Sequence, residues 1–249
     1  MLAFAPSRTL AITPYDVDLD FEELTLRTSD GVDLHAWWLP TPRRAGGNKA
    51  RPMRGSILFA HGNGGNIGDR IPHAALLVDA GFDVLMFDYR GYGRSHGRPS
   101  EEGVYRDARA AREALLAAPG TDPDRIFYLG ESLGGAVMVE LALEHPPTGL
   151  ILLSTFTTLR DMAKRLFPFL PRLLVPNAFP SLARIGRVTA PVLSIHGTRD
   201  ELVPYEQGRR LYEAAPEPKH WHTMHDVGHS DLMLTHGPEW AETIAAWAR

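Results

Sequence analysis

The sequence contains no cysteine, which excludes disulfide staples, thiolate catalysis and Cys-ligated zinc or iron–sulfur centres. It has no excess of positive charge either. Against 26 Lys+Arg stand 30 Asp+Glu, for a formal net charge of −4, so a phosphate backbone is poorly attracted and no nucleic-acid partner is expected. No uninterrupted apolar run approaches the ~18–20 residues that span a bilayer. The opening stretch MLAFAPSRTLAITP holds one charge and two prolines, where a signal peptide would need a basic start and an apolar centre. A cytoplasmic location is the expectation, with a disulfide-free secreted protein as the alternative. Low-complexity linkers and internal repeats are missing as well: 23 Gly and 20 Pro are scattered throughout, so residues 1–249 read as one domain.

What is present is a regular alternation. FEELTLRT (21–28) and DLHAWWLP (33–40) flank the turn residues Ser29, Asp30 and Gly31 and read as an antiparallel hairpin. Trp37 and Trp38 point to opposite faces of the second strand, at least one of them into a core. Residues 41–54 read as a polar loop. Short apolar runs follow at 56–60, 82–88, 125–130, 149–154 and 191–197, and continuous apolar runs separated by helices mark a parallel sheet buried on both faces. Helix formers fill 102–118 and 133–145, closed by Pro119 and Pro146. Segment 155–190, with four prolines and a dense apolar content, interrupts the alternation as an excursion over the strand ends.

Chemistry concentrates in Gly130-Glu131-Ser132-Leu133-Gly134, at the junction of a strand and a helix. A serine on such a sharp turn needs tiny residues two before and two after it, and Gly135 adds room. The plainer alternative is a helix-capping serine beside chance glycines. At the helix start the Leu133 N–H points to where negative charge would develop on an attacked carbonyl. A serine hydroxyl needs a base and the base an orienting carboxylate. His229 in Val227-Gly228-His229-Ser230 is the candidate base. Asp200, directly after the run 191–197, is the favoured acid, with Glu201, Asp226 and Asp231 nearby in sequence. His220, His222 and His225 form HWHTMH, close to a zinc-binding H-x-H-x-D-H pattern, but Met224 stands at the aspartate position and a solvated strand face is the better reading. The loop His61-Gly62-Asn63-Gly64-Gly65-Asn66 lacks the G-K-[ST] of a phosphate cradle. His61 and His196 precede glycines at strand ends and read as turn residues.

The order Ser132, Asp200, His229 is that of α/β-hydrolases, and from about residue 20 onward the chain resembles that superfamily. LHAWWLP, HGNGGN, FDYRGYGRS, GESLGG, HGTRDELVP and VGHSD are similar to abhydrolase-domain serine hydrolases with a small lid, a group including depalmitoylases and bacterial esterases. The resemblance implies an α/β fold of the α/β-hydrolase type: a mostly parallel central sheet, an antiparallel N-terminal hairpin, helices on both faces and a small helical lid at about 155–190. It implies a serine hydrolase cleaving carboxylic esters or thioesters through an acyl-enzyme, with no cofactor and no metal. It also implies that the Asn63 N–H joins that of Leu133 in an oxyanion hole, and that 88–95 is a structural loop bracing the site, an anion site being the alternative. Relatives often carry an N-terminal hydrophobic anchor; none is read here, so membrane attachment is not carried over. A serine peptidase or amidase on the same fold is the enzymatic alternative, and a non-catalytic ligand-binding α/β-hydrolase is the other.

Within 155–190, Arg160, Lys164, Arg165, Arg172, Arg184 and Arg187 face a single acid, Asp161. Leu159, Met162, Leu166 and Phe167 share one face of a short helix. The ordinary expectation is that this face packs on the domain. The sharper one is that Phe156, Leu159, Met162 and Leu166 line a substrate pocket, while the basic side meets an anionic substrate or makes peripheral contact with an anionic membrane surface. The expected partner is a small-molecule acyl ester or thioester; the sequence leaves the oligomeric state open and is compatible with a monomer.

Overall fold

The computed structural model describes residues 4–42, 53–166, 169 and 177–248, without the side chains of 164–166. Eight strands form one sheet: β2 (Glu22–Arg27), β3 (Asp33–Leu39), β4 (Gly55–Ala60), β6 (Phe82–Phe87), β7 (Ile126–Glu131), β8 (Gly149–Leu153), β9 (Val192–Gly197) and β10 (Lys219–Met224). Their order across the sheet is β10-β9-β8-β7-β4-β6-β3-β2. The pairs β2·β3 and β3·β6 are antiparallel, and every other neighbour is parallel. A separate two-residue pairing joins β1 (Ala5–Pro6) to β5 (Gly64–Gly65) in parallel.

The continuous apolar runs are explained by two cores, one on each face. Along β4, Ile57 and Phe59 enter one core while Leu58 and Ala60 enter the other, and β6, β7 and β8 split in the same way. Trp37 and Trp38 are both buried, on opposite faces, because the sheet is covered on both sides even at β3. One layer holds α1 (Ile71–Asp79) and α7 (Leu232–Trp247); the other holds α2 (Glu101–Ala117), α3 (Leu133–Glu144), α5 (Ser181–Ile185) and α6 (Tyr205–Ala214). Helix α2 starts at Ser100, whose side chain accepts the Gly103 N–H at 3.1 Å, with Glu101 and Glu102 at the positive end of the helix. Helix α3 is apolar nearly all round because it lies between the sheet, α2 and α5.

Within 155–190 the described residues include α4 (Leu159–Leu166) and α5. The Leu182 N–H reaches Thr157 O at 3.1 Å, and the Phe179 N–H reaches Glu101 Oε1 at 2.8 Å. Arg172 and the side chains of Lys164, Arg165 and Leu166 lie outside the described residues, as does Phe167. Among the described residues, no helix is long and apolar enough to cross a membrane. Because six neighbouring strands are parallel, their C-terminal ends open on one edge, where an open α/β sheet gathers functional loops.

Candidate active site

Strand β7 runs to Glu131 and α3 begins at Leu133, leaving Ser132 alone on the turn at φ 52°, ψ −108°. This strained conformation costs ~1–3 kcal/mol and persists only where surroundings enforce it. They do: a Cβ at Gly130 would lie 2.4 Å from Gly134 O, one at Gly134 2.0 Å from Ala60 O, and one at Gly135 1.9 Å from Thr155 Oγ1. The Ser132 N–H bonds Leu153 O at 2.8 Å, tying the turn to β8.

His229 and Asp200 meet on neighbouring loops, with His229 Nδ1 2.8 Å from Asp200 Oδ2. A carboxylate only accepts, so Nδ1 carries the proton and Nε2 is left as the basic nitrogen. Asp200 is fixed from behind: its Oδ1 accepts the N–H groups of Leu202 (3.0 Å) and Val203 (2.7 Å), and His196 Nε2 lies 3.4 Å from Oδ2. Burial would raise the Asp200 carboxyl, but hydrogen bonds from His196 and His229 hold it well below the usual range. Burial would likewise depress His229, yet the Asp200 bond and charge, joined by Glu131 and Glu201, carry it above the ordinary histidine value. The other nearby acids are engaged elsewhere. Glu201 Oε2 takes the His229 backbone N–H (3.4 Å), Asp231 Oδ1 takes the Gly228 N–H (2.7 Å), and Asp226 pairs with Arg199 (2.9 Å) at the surface.

The loop 61–66 is pinned from three sides. Asn63 Oδ1 accepts the Tyr92 hydroxyl (2.9 Å) and the Ala5 N–H (3.1 Å). Asn66 Nδ2 donates to Thr9 O at 2.7 Å, and Tyr89 Oη donates to His61 O at 2.9 Å. Among the described residues, no hydrogen bond takes up the backbone N–H of Asn63 or of Leu133. An open cleft of about 570 Å³ is lined by Gly62, Asn63, Gly64, Ser132, His229 and Ala5, among others. Ser132, His229 and the Asn63 loop thus share one cleft, with Asp200 immediately behind His229.

Loop 88–95 braces this edge. Asp88 Oδ1 accepts the Ile67 N–H at 2.9 Å, and Arg90 donates to Asp107 (2.8 Å) and, through both terminal nitrogens, to Asp30 (2.8 and 2.9 Å). The Arg90 guanidinium is therefore already occupied by carboxylates. His61 lies in the loop directly after β4, as expected, and is fully buried, packing on Tyr89 with ring centroids 4.4 Å apart; His196, expected in a turn, lies instead within β9 behind Asp200. Phe156 and Met162 are packed in the core on the α3 face, with Leu159 against it, and none of these three lines the cleft. Leu166 falls outside the described side chains. His222 bonds Glu239 at 3.1 Å on the edge strand β10, where His220 is exposed.

Several residues escape sequence reasoning. Ala5 acts through its backbone, for which no side-chain signal exists. His196 supports Asp200 from a position that reads as a strand terminus. Glu131 occupies the unconstrained position of G-x-S-x-G, yet its carboxylate receives two hydrogen bonds from Arg70, at 2.8 and 3.0 Å.

A family model described as serine aminopeptidase, S33, matches residues 51–183. The uncharacterized protein Rv2307c of Mycobacterium tuberculosis is 43% identical over 216 residues, covering 86% of this chain and 74% of that protein. The alpha/beta hydrolase domain-containing protein WAV2 of Arabidopsis thaliana is 35% identical over 226 residues, covering 84% and 71%. Among solved structures, the Pyrococcus furiosus esterase Pf2001 superposes with a TM-score of 0.78 at 22% identity, over 98% of this chain and 97% of that one. The esterase domain of a Rhodothermus marinus protein gives a TM-score of 0.68 at 22% identity, over 92% and 98%.

Proposed function

The chain belongs to the α/β-hydrolase superfamily, in the family described as serine aminopeptidase S33, and from that premise we propose that it is a serine hydrolase cleaving carboxylic esters or thioesters. The observation that carries this reading is the 2.8 Å bond between His229 and a buried Asp200, in the same cleft as a serine on an enforced elbow. Ser132 Oγ attacks the carbonyl carbon as His229 Nε2 takes its proton. Asp200 keeps the imidazole in the Nδ1–H tautomer and stabilises the imidazolium. The Leu133 and Asn63 N–H groups receive the oxyanion, an arrangement worth on the order of 3 kcal/mol per donor. Collapse returns the proton to the leaving alcohol or thiol, and water then releases the acid by the same steps in reverse. The residues present suffice for this chemistry without a cofactor. A cytoplasmic site of action is part of the same proposal.

The experiment is an ester panel graded in acyl length, with a thioester and a peptide amide, run beside Ser132→Ala and a fluorophosphonate probe. We expect turnover of esters and thioesters, with Ser132→Ala losing probe labelling and falling by ~10⁴-fold or more. Because the folded pKa of His229 is raised, the acid limb of kcat/KM should have its midpoint above ~6.5. Labelling that persists in Ser132→Ala would give the reaction to another nucleophile. The family description favours a second reading, amide cleavage by the same triad, and preferential turnover of the peptide amide would select it.

A further inference from the structure

Beside the triad lies a second ionic device. Glu131 immediately precedes Ser132, and its carboxylate takes both Arg70 Nε (2.8 Å) and Nη2 (3.0 Å) in a fork, with the two side chains only 12% and 14% exposed. The glycine loop rests directly on this pair. A Cβ at Gly62 would fall 3.1 Å from Arg70 Nη2 and 3.2 Å from Glu131 Oε1, and one at Gly65 would fall 3.3 Å from Arg70 Nη1. The pair also forms the shared wall between the Ser132 cleft and a second cleft of about 340 Å³, lined by His73, Leu153 and Met233, and His229 borders both.

We propose that Glu131 and Arg70 are a positioning pair, which ties the nucleophile elbow to the glycine loop and sets a second carboxylate beside His229. The proposal rests on the hydrolase reading. One end of the pair is fixed to the elbow by the backbone of Glu131, and the other enters the cleft wall from the turn before α1, so the ion pair backs the glycines of loop 61–66 on the serine side, in addition to the Tyr89, Tyr92 and Asn66 hydrogen bonds that pin the loop elsewhere. The charged and titratable groups around His229 are Asp200 and Glu201 from the loop after β9, Glu131 from the end of β7, Asp231 from its own loop, and Asp69, Arg70 and His73, which line the same clefts from the turn before α1 and its start. Asp200 holds the ring, and Glu131 adds negative charge without touching it. Burial would raise the Glu131 carboxyl, but the Arg70 charge and hydrogen bonds hold it down to about 2, so it is ionised throughout the working range. A charged Glu131 favours the imidazolium that forms as Ser132 attacks.

The two halves of the role separate in two variants. Glu131→Gln keeps shape and removes charge: kcat should fall ~10-fold with KM little changed, and the acid limb should move ~0.5 unit to lower pH. Arg70→Lys keeps a cation and loses the fork: kcat should fall while the acid limb stays with the wild type. Titration of the His229 imidazole by nitrogen NMR reads the same shift without any substrate, so it distinguishes failure of this inference from failure of the hydrolase reading. A His229 midpoint unchanged in Glu131→Gln, or an effect confined to KM, would overturn the proposal. Should Glu131→Gln not fold, the double variant with Arg70→Gln removes both charges and must lower the same midpoint.

Discussion

The backbone of Ser132, at φ 52°, is held by neighbours with no room to yield, and this makes glycines 130, 134 and 135 as much a part of the site as the hydroxyl. Gly134→Ala would drive its Cβ to 2.0 Å from Ala60 O, a backbone atom of a central strand, which cannot move aside. We expect a loss of roughly 3 kcal/mol or more, read by thermal denaturation, and loss of probe labelling in whatever fraction folds. Gly64→Ala is the matched control, because a Cβ there meets nothing within 4 Å, and its melting should stay within ~0.5 kcal/mol of the wild type. At this scale the sequence was informative where a residue's chemistry depends on its immediate neighbours. Ser132, bracketed by glycines, announces its turn. His196 does not announce that it will stand 3.4 Å from Asp200, since that contact depends on how the loop after β9 folds back.

Among the elements, the segment 4–9 does work out of proportion to its two residues of strand. Ala5 pairs with Gly64, Ser7 N–H bonds Gly65 O at 3.1 Å, and the Ala5 N–H and Tyr92 hydroxyl converge on Asn63 Oδ1. Tyr92→Phe removes the hydroxyl that donates to Asn63 Oδ1 and accepts the Ala5 N–H at 3.2 Å, while leaving the ring packed against Tyr89 and His61. We expect kcat to fall severalfold, about 3- to 10-fold, with little change in melting temperature; equal kcat would mean that Asn63 is held adequately without the hydroxyl. The strands of the main sheet were legible because burial on both faces demands continuous apolar runs, as at GLILL in β8. The β1·β5 pairing was not, since Ala-Pro against Gly-Gly carries no side-chain pattern. Helix α7 was obscured for a different reason: Gly237 and Pro238 interrupt its periodicity, and the helix accommodates them with a kink at His236 (φ −138°, ψ 20°).

For the molecule as a whole, buried ionisable groups set the response to acid. Burial pushes His73 down to about 4 and lowers His61 as well. Between ~6.5 and about 4, the unfolded chain binds a proton at His73 that the folded protein refuses, so stability falls as pH falls. Below that window Glu131, ionised down to about 2, continues the loss from its ordinary carboxylate value downward. His229 acts oppositely: its raised folded value gives a contribution fully present below ~6.5 and lost as pH rises through the folded value. A melting-temperature profile should decline steadily from neutral pH to pH ~4, and His73→Gln should flatten that limb; an unchanged slope would assign the decline to other groups. The parallel sheet was legible in the sequence as a whole, whereas the way the loops after β4, β7, β9 and β10 converge on one cleft depends on packing that no local pattern encodes. Ala5 and Trp247 lie at opposite ends of the parallel strands. Trp247, near the end of α7, packs over Gly149 and Phe127 at the beginnings of β8 and β7, while Ala5 lines the cleft itself. A dye or tether attached beside Ala5 would therefore crowd the reaction cleft, whereas one attached beside Trp247 would sit at the far ends of the strands.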